Sequence, residues 1–397
     1  MKKLLLLGAM QMHLPLIQRA HERGIYVITC DFIPENVGHK LADEAHYDST
    51  TDIPAVLSLA KECHVDGVMT FNSDPAALSA ATVAELLGLP GSGKEAVEVM
   101  SDKGKFRKFL GENGFNVPKF GSFSSYEELE KVLDNFTFPI MLKPVDSSGS
   151  KGVVCLHSES EVKDAYCNAL NYSRCKHIIV EEFITGVGPQ IHGDAFVSNG
   201  EIRFMCLGDH HFDSQINNLV PISTTFPSQH SKDDIDKVTK EVQKFVSLVG
   251  FKQGGINIEA RISAKDGKAY LVEVGPRNGG NFTPIVIQNT TGYNFIDACL
   301  DATLGEPYQE QKLQNNGFNA YLVIHSDKDG ILDSIEINEG LQSHILSRYD
   351  YLQPGEKVNS FRGANAAIGV LLVQYDDLGE LLSVVDNMKK YIHVSLK

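Results

Sequence analysis

The chain opens on Leu4-Leu5-Leu6-Leu7-Gly8, an apolar run with no polar position inside it. That is the pattern of a parallel strand buried on both faces. Apolar blocks of strand length then alternate with longer amphipathic stretches. The alternation predicts strands over 2–8, 26–30 and 67–71, and helices over 14–23, 55–64 and 76–87. Strands separated by helices of about ten residues make a doubly wound parallel sheet. Such sheets bind ligands at the carboxyl ends of their strands, here near Gly8, Asp31 and Asn72-Ser73-Asp74.

From Ser101, read as a helix cap, the pattern changes. It predicts a helix over 102–113, a strand near Phe120, a helix over 126–133, a strand over 139–144 and a helix over 161–171. Residues 178–184 form a strand that turns from apolar to acidic. A hairpin over 191–197 and 202–207 turns at Asn199-Gly200. A helix over 233–249 leads to strands over 254–262 and 269–274. Beyond about 310 a smaller α/β unit carries strands over 320–324, 330–337 and 366–373 and a helix over 376–390. Three units follow: 1–100, 101–310 with a lid lobe at about 115–185, and 311–397.

Composition narrows the partners. The formal charge of -15 argues against nucleic acid, whose binding draws on excess Lys and Arg. No apolar run reaches the roughly 20 residues of a membrane span, and the leading apolar block is too short for a signal peptide. Seven scattered cysteines with no C-x-x-C pair suggest reduced thiols, hence a cytoplasmic protein.

Two glycine motifs fail on inspection. Gly8-Ala9-Met10-Gln11-Met12-His13 has one glycine where a dinucleotide fingerprint has three. The stretch from Gly88 to Lys94 has P-loop spacing, but Glu95 stands where a magnesium-binding hydroxyl belongs. It reads as a turn between two domains.

Three other constellations carry chemistry. Lys143 ends an apolar strand and is followed by Ser147-Ser148-Gly149-Ser150-Lys151-Gly152, a turn whose bare backbone N–H groups suit a polyphosphate. A buried ammonium at that strand end needs an anion. Glu181-Glu182-Phe183-Ile184 closes another strand with free backbone groups and apolar walls fit for an adenine edge. Glu259 and Glu273 lie on neighbouring strands, where two apposed carboxylates repel unless a cation sits between them, and oxygen ligands suit Mg²⁺. Arg277 offers a planar fork to a carboxylate or phosphoryl group.

With Asp102-Lys103 ahead of them, these motifs resemble the ATP-grasp superfamily in order and rough spacing over essentially the whole chain. The resemblance is to its carboxylate–amine (amino-acid) ligases and biotin carboxylase branch. It implies an ATP-grasp fold with a doubly wound N-terminal domain, a two-lobed central domain and a small C-terminal α/β domain. It implies that Lys103 and Lys143 hold ATP phosphates under the loop bearing Ser148, Gly149, Ser150 and Gly152. Glu181 and Glu182, with the backbone of Phe183 and Ile184, would read adenine. Glu259 and Glu273 would bind one or two Mg²⁺ ions, with Mn²⁺ able to replace them, and Arg277 with Lys143 would serve the transfer step. Homodimers are also implied.

Two positions depart from the pattern. Gly275 stands where the family has a metal-binding Asn, and Gln190 where it has a ribose-binding Glu. Small-molecule carboxylate and amine substrates would meet Asn72, Asp74, His192, His210, Arg277, Asn278, Gly279 and Gly280. The expected activity is activation of a carboxylate as an acyl phosphate followed by coupling to an amine. The alternatives are activation of bicarbonate, and nucleotide binding with little turnover.

Overall fold

A computed structural model describes residues 1–397. The first unit is a parallel sheet of β1 (Lys3–Leu7), β2 (Tyr26–Cys30), β3 (Glu44–His46) and β4 (Gly67–Met69), in the order β3-β2-β1-β4. Leu4 to Leu7 are fully buried, as an apolar run without alternation requires. Helices Leu14–Glu22, Ile53–Glu62 and Asp74–Leu87 flank the sheet, and Gly88 ends the last of them at φ +65°. β3 and a short helix at Val37–Leu41 have no counterpart in the sequence reading.

The interdomain turn expected from the prolines and glycines is shorter than expected, because a helix starts at Lys94 and runs to Ser101. Ser101 therefore ends one helix rather than capping the next. The cap is Asp102, whose backbone is extended and whose Oδ1 accepts from the N–H of Lys105 at 2.9 Å. One extended residue thus separates two helices and sets Lys103 at the start of the second, Lys103–Glu112.

The lid lobe is an antiparallel sheet of β5 (Phe120–Phe123), β6 (Ile140–Pro144), β7 (Val154–Leu156) and β8 (Ile178–Glu182), ordered β5-β8-β6-β7. Its core of Phe123, Leu142, Tyr166, Ile178 and Val180 is separate from the rest of the interior. A lobe with its own core can move as a body.

The remaining strands are β9 (Gln190–Ser198), β10 (Glu201–Asp213), β11 (Asn217–Phe226), β12 (Gln253–Ile262), β13 (Ala269–Gly275), β14 (Phe318–Ile324), β15 (Gly330–Ile337), β16 (Ile345–Asp350), β17 (Lys357–Val358), β18 (Gly369–Tyr375) and β19 (Ile392–Leu396). Eight of them form one antiparallel sheet, β13-β12-β9-β10-β11-β14-β18-β16. The boundary expected near 310 thus falls in a connection between strands of a single sheet. Its hydrophobic core runs from Leu4 and Ile17 through Phe226 to Val373 and Ile392, joining the first and last units. No helix is long and apolar enough to cross a membrane, and all seven cysteines are free.

Candidate active site

Register builds the floor of the site. Residues two apart on a strand share a face, and neighbours across the sheet stand side by side. One row joins Glu273 to Glu259 and Glu259 to His192. The next row places Gln190 beside His210, His210 beside Thr224, and Thr224 beside Tyr321. All of these except Thr224 line one cavity of about 260 Å³ between the large sheet and the lid.

The glycine-rich loop covers this floor. Gly149, Ser150 and Gly152 all have positive φ, between +57° and +72°. Ser150 Oγ donates to the carbonyl of Leu219 at 2.7 Å, which docks the loop onto β11. Ser148, Gly149 and Ser150 line the cavity; Gly152 does not. A Cβ added at Gly152 would lie 2.9 Å from the Tyr172 ring, so glycine there serves the turn's packing.

Lys103 enters from the helix start. Its Nζ donates to the Ser147 carbonyl at 2.9 Å and approaches Glu273 Oε1 at 3.4 Å. Burial works against its charge, but Glu273, Asp74 and Glu259 hold its pKa above the usual lysine value. Lys143 also lines the cavity, held by Glu181 Oε2 at 2.7 Å.

Glu181 does something other than expected. Its second oxygen accepts from Arg107 Nε at 2.7 Å, so both oxygens of this buried carboxylate are taken. Burial alone would raise its pKa, but Arg107 and Lys143 bring it down to about 2. The carboxylate therefore fixes Lys143 and has no oxygen left free for a ligand. The Phe183 N–H bonds the Pro139 carbonyl at 3.0 Å and the Ile184 carbonyl accepts from Arg261 at 3.2 Å, while the Ile184 N–H has no partner within the chain. Glu182 accepts from the Thr137 N–H at 2.9 Å and borders the cavity.

The acid pair has the opposite surroundings. Glu259 lies directly across from Glu273, and burial together with that neighbouring charge pushes Glu259 well above the usual carboxylate range. Gln190 Nε2 donates to Glu259 at 2.8 Å, while Gln190 Oε1 accepts from Arg261 at 2.8 and 3.0 Å. Two apposed carboxylates whose charge Lys103 only partly offsets fit a hard divalent cation. The gap at Gly275 is filled from another unit: a Cβ there would sit 3.3 Å from Asp74 Oδ1. Asp74, at the start of helix Asp74–Leu87, grips Arg277 with two bonds of 2.7 Å. Burial opposes the charge of Arg277 and Asp74 restores it.

Other expected substrate residues separate. Asp74, His192, His210, Arg277 and Gly280 line the cavity, but Asn72, Asn278 and Gly279 do not. The Gly279 N–H and the Asn278 side chain hold the buried Asp194, and the Asn278 N–H bonds the Phe71 carbonyl at 2.9 Å. Their role is to seat the loop that carries Arg277. Arg107, Arg261 and Tyr321 line the cavity without having been singled out in the sequence. Arg107 stands four residues after Lys103 on one helix face, and Arg261 two after Glu259 on one strand face, so periodicity offered a signal for both.

Residues 136–285 match the family described as ATP-grasp domain. The chain is 24% identical over 298 residues to the carbamoyl phosphate synthase large chain of Corynebacterium glutamicum, an alignment covering 73% of this chain and 26% of that protein. It thus spans about a quarter of that relative's length. Among solved structures, L-amino acid ligase from Bacillus licheniformis superposes with a TM-score of 0.84 at 23% identity, covering 100% of this chain and 99% of that one. Phosphoribosylglycinamide synthetase from Anaerococcus prevotii gives 0.78 at 24% identity, covering 100% of both. These likenesses show the fold.

Proposed function

We propose, for a chain whose residues 136–285 are an ATP-grasp domain within an ATP-grasp fold, that it is an ATP- and Mg²⁺-dependent ligase joining a carboxylate to an amine. The single observation that carries the reading is the opposed pair Glu259 and Glu273 beside Lys103, under a glycine-rich loop and within one cavity with Arg277.

Each group has a task in this reading. The Ile184 N–H and the walls of Phe183 and Ile184 take adenine. Gln190 lies toward the ribose, though its two polar atoms are already engaged with Glu259 and Arg261. Lys103, Lys143 and the N–H groups of Ser148, Gly149 and Ser150 cradle the phosphates. Glu259 and Glu273 hold Mg²⁺, which when bound spreads the charge of the transferring phosphoryl group. The γ-phosphoryl passes to a substrate carboxylate, giving an acyl phosphate and ADP. An amine then attacks the acyl carbon, phosphate leaves, and the amine's proton is lost to solvent. Arg277 steadies the carboxylate and the charge that builds on it, which requires that its fork be shared with or released by Asp74. The lid lobe keeps water from the intermediate.

The test is phosphate release from ATP and Mg²⁺ with carboxylates and amines supplied singly and in pairs. Release that needs one of each is the expected result. Full release with bicarbonate alone would overturn the organic acyl phosphate. No release under any pair, with ATP bound, would leave a nucleotide-binding protein.

A further inference from the structure

The cavity has two chemically different ends. Its charged side chains come from two helices, the lid, strands β12 and β13 and the loop after β13, at the end that holds the acid pair. The end built by β10, β11, β14 and residues 361–367 lines the cavity with no charged side chain: Phe212, Val220, Val323 and Phe361 wall it, and Asn218 and Tyr321 add neutral polar groups. Val220, Val323 and Phe361 are at most 2% exposed, so this is built interior rather than open surface. A phosphate or second carboxylate seated against these apolar side chains, away from the loop that docks on Leu219, would be desolvated with no charged side chain beside it.

Between the walls sits one oriented acceptor. The Thr224 hydroxyl donates to Tyr321 Oη at 2.7 Å and so accepts from His210 Nδ1, also at 2.7 Å. That network assigns the proton to Nδ1 and leaves Nε2 as a lone pair on a side chain lining the cavity. His192 stacks on His210 at 4.1 Å between ring centroids. Asn257 Nδ2 donates to His192 Nε2 at 2.9 Å, which puts that ring's proton on Nδ1, a buried atom with no partner. Burial lowers the pKa of both rings, so both are neutral.

We propose that this end is a subsite for an amino acid with an apolar side chain, with His210 Nε2 accepting a hydrogen bond from its amino group. The proposal rests on the ligase reading and narrows it. The three parts of such a molecule match the three parts of the cavity: carboxylate toward Arg277 and the acid pair, N–H toward His210, apolar side chain toward Val323 and Phe361. Bicarbonate would leave the walls empty, and glutamate or a sugar phosphate would bury an unpaired charge against them.

Isothermal titration of the whole protein with Mg²⁺ and a non-hydrolysable ATP analogue tests this, using phenylalanine, leucine, glutamate, ribose 5-phosphate and bicarbonate as probes. Phenylalanine or leucine is expected to bind at least tenfold more tightly than the charged probes. His210→Phe, which keeps the volume and removes the acceptor, should raise KM for the amino acid about tenfold, the worth of one buried hydrogen bond, with KM for ATP within about twofold. Tighter binding of glutamate, ribose 5-phosphate or bicarbonate would overturn the subsite, even if those probes drive phosphate release and so preserve the ligase reading. Binding of leucine or phenylalanine without any phosphate release would support the subsite and count against the ligase. An unchanged amino-acid KM in His210→Phe would remove His210 from recognition.

Discussion

Glu181 and Glu259 are acidic residues of neighbouring strands systems that border one cavity, yet their surroundings act on them in opposite senses. Glu181 gives one oxygen to Arg107 and the other to Lys143, each at 2.7 Å, and its carboxyl is held down at about 2. Glu259 faces another carboxylate, and burial beside that charge raises it. A compensated acid of the first kind is an internal part of the scaffold. A pair of the second kind, with Lys103 at 3.4 Å from Glu273 and no cation in contact with Glu259, is only partly compensated and has room for a further positive charge. The direction of a perturbed carboxyl therefore separates structure from ligand site inside one cavity, where burial alone would not.

The largest effect should come from breaking the compensated side. Glu181→Ala leaves the Arg107 and Lys143 charges without their partner and should cost about 3 kcal/mol, the lower part of the range for a broken buried pair. Arg107 still donates to the Leu271 and Val272 carbonyls, which limits the loss. The pH dependence has a definite sign. Glu181 is depressed from 4.5 to about 2, so its contribution is present above 4.5 and is lost as pH falls from 4.5 toward 2. Urea unfolding of wild type and variant across that window should show the difference shrinking with acid. A constant difference would mean that packing, not charge, carries Glu181.

The second effect lies on the partly compensated side. Glu273→Gln removes one of the repelling charges but also the Lys103 partner at 3.4 Å, so the metal-free protein should lose less stability than Glu181→Ala does. Affinity for ATP in the presence of Mg²⁺ should fall about 100-fold, since even outer partners of a metal are worth tenfold or more. Here the pH sign reverses. Glu259 is raised, so its contribution is present below 4.5 and lost as pH rises toward neutrality, and Mg²⁺ should restore it. Thermal unfolding with and without Mg²⁺ reads both. Destabilisation of the metal-free Glu273→Gln protein as large as that of Glu181→Ala would erase the contrast with Glu181.

The sequence carried the acid pair more openly than the clamp. Glu259 and Glu273 sit on apolar strands joined by a short Asp266-Gly267 turn, and antiparallel pairing across it brings them opposite. A helix beginning near Lys103 and the glycine loop were legible for similar local reasons, though the cap is Asp102 rather than Ser101. β11 was not: Asn217–Phe226 contains Pro221, which argues against a strand. The structure accommodates that proline at a register shift, where Phe212 faces Pro221. The extension of β10 through His210 and His211 was also hidden, because polar residues facing a cavity look like those of a solvated loop. Glu181 read as a ligand-binding acid because its partners Arg107 and Lys143 lie 74 and 38 residues away.

Asp74 and Arg277 provide the intermediate case and the smallest expected effect. They are 203 residues apart and join the first unit to the loop after β13 through two bonds of 2.7 Å. As at Glu181, both oxygens are taken; as at Glu259, the acid borders the cavity's charged end. Their side chains are 23% and 13% exposed, so water screens part of the attraction. Asp74→Asn keeps the shape but turns one acceptor into a donor facing the guanidinium, which should cost about 1–2 kcal/mol, below the loss at Glu181. The two lessons of the comparison then diverge. If the clasp is scaffold, the variant unfolds more easily and KM for the carboxylate substrate stays put or rises. If Asp74 holds Arg277 back until a substrate carboxylate replaces it, the same variant releases the fork and KM for that substrate falls while stability still drops. Denaturant unfolding together with KM for carboxylate and for ATP distinguishes the two. An unfolding midpoint equal to that of the wild type would show that the pair contributes nothing to stability, and an unchanged KM for the carboxylate that it does not gate Arg277.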